Sequence, residues 1–201
     1  MTRDKALSAA TIVAAGLAVL WLATDGLAAF TAEGARRLAV KRQPKPLPAV
    51  EFVDHNAKRF SFDDYRGRIV LVEFIYSRCG DICLVLGDSF ERIRAALPPD
   101  TAPDRVQLLS ISFDQTDGLD DLTSYAERFH ADGHAWRIVR PVEAKDIATL
   151  LKTFGVTVIA DGFGGFQHNA AVHLIDERGR LARIYGFSPP AAILERLWTW
   201  L

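Results

Sequence analysis

Two cysteines, Cys79 and Cys83, are the only thiols in this chain of 201 residues, and they stand four positions apart. They follow a continuous β-branched and apolar run, Ile69 to Tyr76, of the kind a buried central strand requires. After them Ile82, Leu86, Phe90, Ile93 and Leu97 recur at helical spacing until Pro98-Pro99 ends the pattern, so the local order is strand, cysteine turn, helix. Unpaired amides and the positive dipole end at a helix start favour thiolates. Arg78 adds to that field and Asp81 opposes it. Side chains four apart on a helix share a face, so both sulfurs are expected on one turn, able to meet one ion or to close a disulfide, with Gly87 continuing the face as a small residue. As a structural staple so short a ring would contribute only about 2 kcal/mol, against roughly 4 for a ring near 80 residues. The spacing therefore points to redox or metal chemistry.

The elements that must position this turn follow the same alternation. A short strand is expected at Ala49 to Val53, a turn at Asp54 to Lys58, and the Ile69 to Tyr76 strand next. Then come a strand at Arg105 to Phe113, a helix near Leu119 to Phe129, a strand at Trp136 to Val139 and a helix from Glu143 to Phe154 with Gly155 as its C-cap. A hairpin, Ala171 to Ile175 with Leu181 to Tyr185, and a last helix with Ser188 as N-cap and Pro189 at its first position close the chain. This order indicates an α/β, thioredoxin-like fold with a central mixed sheet flanked by helices.

Phe74-Ile-Tyr-Ser-Arg-Cys79-Gly-Asp81-Ile-Cys83 resembles the Phe-x-Tyr-x-x-Cys-Pro-Asp-x-Cys-Pro segment of the Sco/SenC family. Ser110-Ile-Ser-Phe-Asp114 with Asp117 is similar to that family's Ser-Val-Asp-Pro-x-x-Asp, and Phe154-Gly-Val with His168-Asn-Ala-Ala-Val-His-Leu-Ile-Asp176 to its His-Ser-x-x-x-x-Leu-Ile-Asp. The likeness covers Pro46 to Leu201. Gly80 and Leu84 replace both prolines of the cysteine motif, and Gln167 stands where an Asp often precedes the histidine. The resemblance implies copper, as Cu(I) or Cu(II), held by Cys79, Cys83 and, by position, His168. It further implies delivery to the copper-receiving subunit of cytochrome c oxidase, or to another periplasmic cuproprotein, with a thiol-disulfide reductant as a further partner.

Two soft thiolates and one imidazole also suit Cu(I) on chemical grounds, and Met1 is the chain's one methionine. His55, His130 and His134 lie in polar turns and read as ordinary side chains. His173 is the rival. Five residues beyond His168 in one extended strand it would face the other way, which favours His168 and disfavours a four-ligand zinc site. The alternative function is a thioredoxin-like thiol-disulfide oxidoreductase with Cys79 attacking and Cys83 resolving. A peroxidatic role is disfavoured because Tyr76, not Thr, stands three residues before Cys79. A docking domain with idle cysteines is the third class.

Twenty-four basic residues balance 25 acidic ones, so nothing suggests nucleic acid as a partner. The uncharged run Ala6 to Thr24 would, as a helix, cross most of the ~30 Å hydrocarbon core. Residues 1–30 are thus expected to form a transmembrane anchor, or a signal segment cleaved after Leu27-Ala28-Ala29. Basic residues lie on both sides of the run, but long domains translocate largely regardless of charge. The expected location is the inner membrane, single-pass, with the C-terminal domain on the periplasmic side. Residues 31–48, punctuated by Pro44, Pro46 and Pro48, are expected to be a stiff extended linker, and 49–201 the folded domain.

Overall fold

The structure, a computed structural model, describes residues 3–80, 82–98, 101, 104–186 and 188–201; Met1, Asp81 and Pro99, which entered the reading above, lie outside them. The chain divides into two compact units, Met1–Gln43 and Pro44–Leu201.

In the first unit, helix α1 spans Arg3–Ala23 and helix α2 spans Ala32–Arg42. Among the described residues no helix is long and apolar enough to cross a membrane. Helix α2 corrects the expectation of an extended linker over residues 31–48. Thr31 caps it by accepting the Gly34 amide at 3.0 Å, and Glu33 pairs with Arg36 and Arg37 one turn on. The prolines that suggested an extended chain begin only at Pro44, beyond the C-cap Gln43.

In the second unit, β1 (Lys45–Pro46), β2 (Glu51–Asp54) and β3 (Arg59–Ser61) lead into the central strand β4 (Ile69–Ile75), which is buried at every position. Helix α3 (Ile82–Ala96) returns the chain to the parallel strand β5 (Val106–Ser112), also buried throughout. Helix α4 (Leu119–Arg128), strand β6 (Trp136–Pro141) and helix α5 (Asp146–Phe154) follow. Gly155 ends α5 at φ 66°, the left-handed cap that a Cβ would disfavour. Next come β7 (Val158–Ala160), β8 (Phe166–His168), β9 (Ala171–Ile175), β10 (Arg180–Gly186) and α6 (Pro190–Leu197). Pro189, not Ser188, holds the N-cap position of α6.

Eight strands form one sheet in the order β1-β10-β9-β4-β5-β6-β2-β3, with β4, β5 and β6 parallel and the remaining pairs antiparallel. This is the mixed α/β arrangement expected from the alternation. The sequence did not reveal β7 and β8, which form a separate two-stranded hairpin. The parallel order matters for function because it brings the loops after β4 and β5 to the same end of the sheet.

Candidate metal centre

Beyond Ile75 the β4 ladder continues one step, with the Phe113 amide donating to the Ile75 carbonyl at 3.0 Å. Two aspartates of the loop after β5 then grip the residues ahead of Cys79. Asp117, itself buried, accepts the Ser77 amide at 2.9 Å, the Ser77 hydroxyl at 2.6 Å and the Ser112 hydroxyl at 2.6 Å. Asp114 accepts Arg78 Nη2 at 2.6 Å, together with the Thr116 amide and hydroxyl. The Cys79 amide donates to the Tyr76 carbonyl at 3.2 Å, closing the turn. Cys79 therefore precedes the described start of α3, and Cys83 alone lies on its first turn, which corrects the expectation of both on one helical turn. The pair still meets, because the Cys83 amide donates to Cys79 Sγ at 3.3 Å. Both thiols are free and buried, and Tyr125 donates to the Cys83 carbonyl at 2.9 Å from α4. Gly87 allows this approach of the helices: a Cβ there would stand 2.7 Å from the Phe129 ring.

His168 closes β8, and its Nε2 lies 3.6 Å from Cys83 Sγ, with its ring edge-to-face on Phe113 at 5.2 Å. Asn169 ties the hairpin to its own neck: its side chain accepts the Thr157 amide at 2.6 Å and donates to the Gly155 carbonyl at 3.1 Å. His168 and His173 do not share one extended strand. They belong to different sheets, separated by the break at Asn169–Ala170, so the strand-alternation argument does not describe how they diverge. His173 is instead a core residue, packed edge-on against Phe74 and Phe154, with Nε2 at 3.1 Å from the Phe154 carbonyl. His130 pairs with Glu91, and His55 Nδ1 faces the backbone of Ile138.

Burial holds the His168 imidazole below its ordinary value, opposed only in part by the Asn169 backbone, so the ring is neutral near pH 7. The Cys83 thiol is pushed up, chiefly by burial and then by Cys79, which outweighs the helix start whose balance with Arg78 and Asp81 the sequence left open. Arg78 is bound to Asp114 rather than left facing the sulfurs. Sequence reading also passed over Glu73. It is fully buried and raised to about 8 by desolvation, against which a hydrogen bond from Ser110 at 2.5 Å works. Trp136 Nε1 donates to Ser110 Oγ in turn at 2.9 Å. Its signal was a lone carboxylate inside an otherwise apolar strand. Among the described residues no group of three or more His, Cys, Asp or Glu donors is already gathered as a metal cage. The structure brings Cys83 to both Cys79 and His168.

A mixed sheet with a thiol pair at the end of its central parallel strands defines a thioredoxin-like protein. The SCO1/SenC family profile matches residues 42–201, and the chain belongs to that family. A SCO1/SenC family lipoprotein from Bacillus anthracis is 21% identical, with a TM-score of 0.70 over 79% of this chain and 98% of that one. Bradyrhizobium japonicum ScoI with copper bound is also 21% identical, at 0.66 over 78% and 99%. BsSco, described as having a disulfide switch and as a member of the Sco family of cytochrome c oxidase assembly proteins, is 18% identical, at 0.66 over 78% and 94%. At these identities the likeness is one of fold. No curated protein matches the chain.

Proposed function

We propose that this chain carries copper as cargo on Cys79, Cys83 and His168 and assists assembly of the copper centre of cytochrome c oxidase, or of another periplasmic cuproprotein. The observation that carries this reading is the 3.6 Å spacing of Cys83 Sγ and His168 Nε2. Bonds of the length zinc makes, about 2.3 Å to sulfur and 2.0 Å to nitrogen, span that gap when they meet at one ion at roughly 110°, so a first-row metal ion fits between the two atoms. Two sulfurs and a neutral imidazole are a soft, low-coordinate set suited to Cu(I). A ligand set of three, rather than a closed four, also suits cargo that must leave. Family membership and the copper bound to the Bradyrhizobium protein support the same reading.

The test is to reduce the full chain, load it anaerobically with one equivalent of Cu(I), and challenge it with a competing chelator. Wild type should retain copper. Cys79→Ser and Cys83→Ser should lose it together with disulfide cycling. His168→Ala should lower affinity by at least the ~10–100-fold that losing an outer partner costs, while cycling persists. Unchanged retention in His168→Ala would remove the histidine from the site.

A second reading, thiol-disulfide exchange, is favoured by the Cys83 amide aimed at Cys79 Sγ, the contact an attacking sulfur uses. Cys79 would attack a partner disulfide and Cys83 would displace the partner, leaving a Cys79–Cys83 disulfide and a reduced partner. Absence of copper retention with rapid exchange would select it.

Helix α1 we assign to a membrane, as a single-pass anchor of the inner membrane with residues 49–201 on the periplasmic side. Leu7, Ile12, Val13, Leu17, Val19, Leu20, Trp21 and Leu22 are all exposed, a surface that water does not suit. The Bacillus anthracis relative is a lipoprotein. Extraction by alkaline carbonate, or a mature protein starting near residue 30, would overturn the anchor.

A further inference from the structure

Tyr76 touches both halves of the proposed donor set. Its backbone carbonyl accepts the Cys79 amide at 3.2 Å, closing the turn that presents the first sulfur. Its side chain lies beside the Cys79 thiol and extends on to the hairpin. The hydroxyl donates to the Phe166 carbonyl at 3.2 Å and accepts the Phe166 amide at 3.4 Å, gripping one peptide position two residues before His168. Tyr76 and Phe166 also stack edge-to-face at 5.3 Å, and Phe113 packs on both of them, at 5.6 Å in each case, and on the His168 ring. A Cβ at Gly165 would stand 2.5 Å from an Asp161 carboxylate oxygen and in ordinary contact, 3.4 Å, with the hydroxyl.

The other ties of the hairpin do not reach the cysteines. Asn169 bonds to residues 155 and 157, and Asp161 accepts the Phe163 and Gly165 amides within the tip. Among the described residues, the Tyr76 hydroxyl makes the only hydrogen bonds between this hairpin and the cysteine loop apart from the Cys83–His168 contact itself. A three-residue strand paired with another of equal length has little stability of its own.

We propose that Tyr76 is a positioning residue that clamps the β7–β8 hairpin to the cysteine loop and so fixes the His168 imidazole over the thiols before the metal arrives. The proposal rests on the copper reading for its consequence but not for its geometry. Holding the imidazole in place spares the ordering cost that metal binding would otherwise meet. Tyr76→Phe removes the hydroxyl and keeps the ring among its aromatic neighbours.

The experiment compares the full chain and its Tyr76→Phe variant in two measurements. Without metal, amide exchange at residues 158–168 should be about fivefold or more faster in the variant, with the cysteine loop unchanged. With one equivalent of Cu(I), release to a chelator should be about five- to tenfold faster. In a His168→Ala background the same substitution should alter release by less than about twofold, because Tyr76 acts through that histidine. Unchanged amide exchange in the hairpin would overturn the clamp. Equal acceleration of release with and without His168 would also overturn it, by showing action on the sulfurs or on the fold at large. If wild type retained no copper, the copper reading would fall while amide exchange still decided the clamp.

Discussion

Ser77 and Arg78, ahead of Cys79, are gripped by two aspartates from the neighbouring strand end. Phe166 and Gln167, ahead of His168, sit in a three-residue strand paired only with β7. The cysteine loop extends a strand buried at every position, whereas the histidine hairpin lies outside that sheet and exposes 96% of Phe163 at its tip. Local stability follows such differences in buried contact and hydrogen bonding. The lesson is a division of labour: two soft ligands are built into the frame, and the third rides on a separate hairpin joined to it through the Tyr76 hydroxyl.

The cysteine side should dominate the pH response. Glu73 in the folded chain is raised to about 8 from an ordinary 4.5, so the folded state keeps a proton that the unfolded state releases. Stability should therefore be fully present below about pH 4.5, decline as pH rises and level off above about pH 8, by on the order of 5 kcal/mol in all. Glu73→Gln should flatten that slope in urea unfolding followed across pH; a slope that persists would locate the responsible group elsewhere. Asp117→Ala should cost about 3 kcal/mol, because it strands the Ser77 and Ser112 donors around a lost buried carboxylate. His173→Ala should cost about 2 kcal/mol by leaving a cavity between Phe74 and Phe154, while the folded fraction still retains copper. Asn169→Ala should be mildest, about 1 kcal/mol or less in global unfolding, yet it should speed amide exchange across β7–β8. Were Asn169→Ala to match Asp117→Ala in cost, the contrast between frame and hairpin would fail.

The central order, β4 through α5, was legible because burial writes itself into period and composition: a seven-residue strand apolar at all but Glu73 and an Ile82–Leu97 helical stripe admit few other readings. The hairpin of β7 and β8 was not, since Val158–Ala160 and Phe166–His168 are too short to set a period. Their pairing also depends on Asn169, Asp161 and Tyr76, which are distant from one another in pattern though close in space. Helix α2 was missed because three prolines immediately beyond it coloured the whole segment, while the local signals, Thr31 as cap and Glu33 beside two arginines, were present. At the site, types and spacing identified the two thiols. The loss of thiolate character at Cys83 was invisible, because desolvation is a property of the packed neighbours and not of the motif.

The hydrogen-bonded chain from Trp136 through Ser110 to Glu73 runs from a fully buried indole to a carboxyl that ionises near pH 8. A negative charge appearing at the end of that relay changes the field across the indole. The chain thus contains its own optical probe of the proton state beneath the thiol helix, legible in the emission of Trp136 once Trp21, Trp198 and Trp200 are replaced.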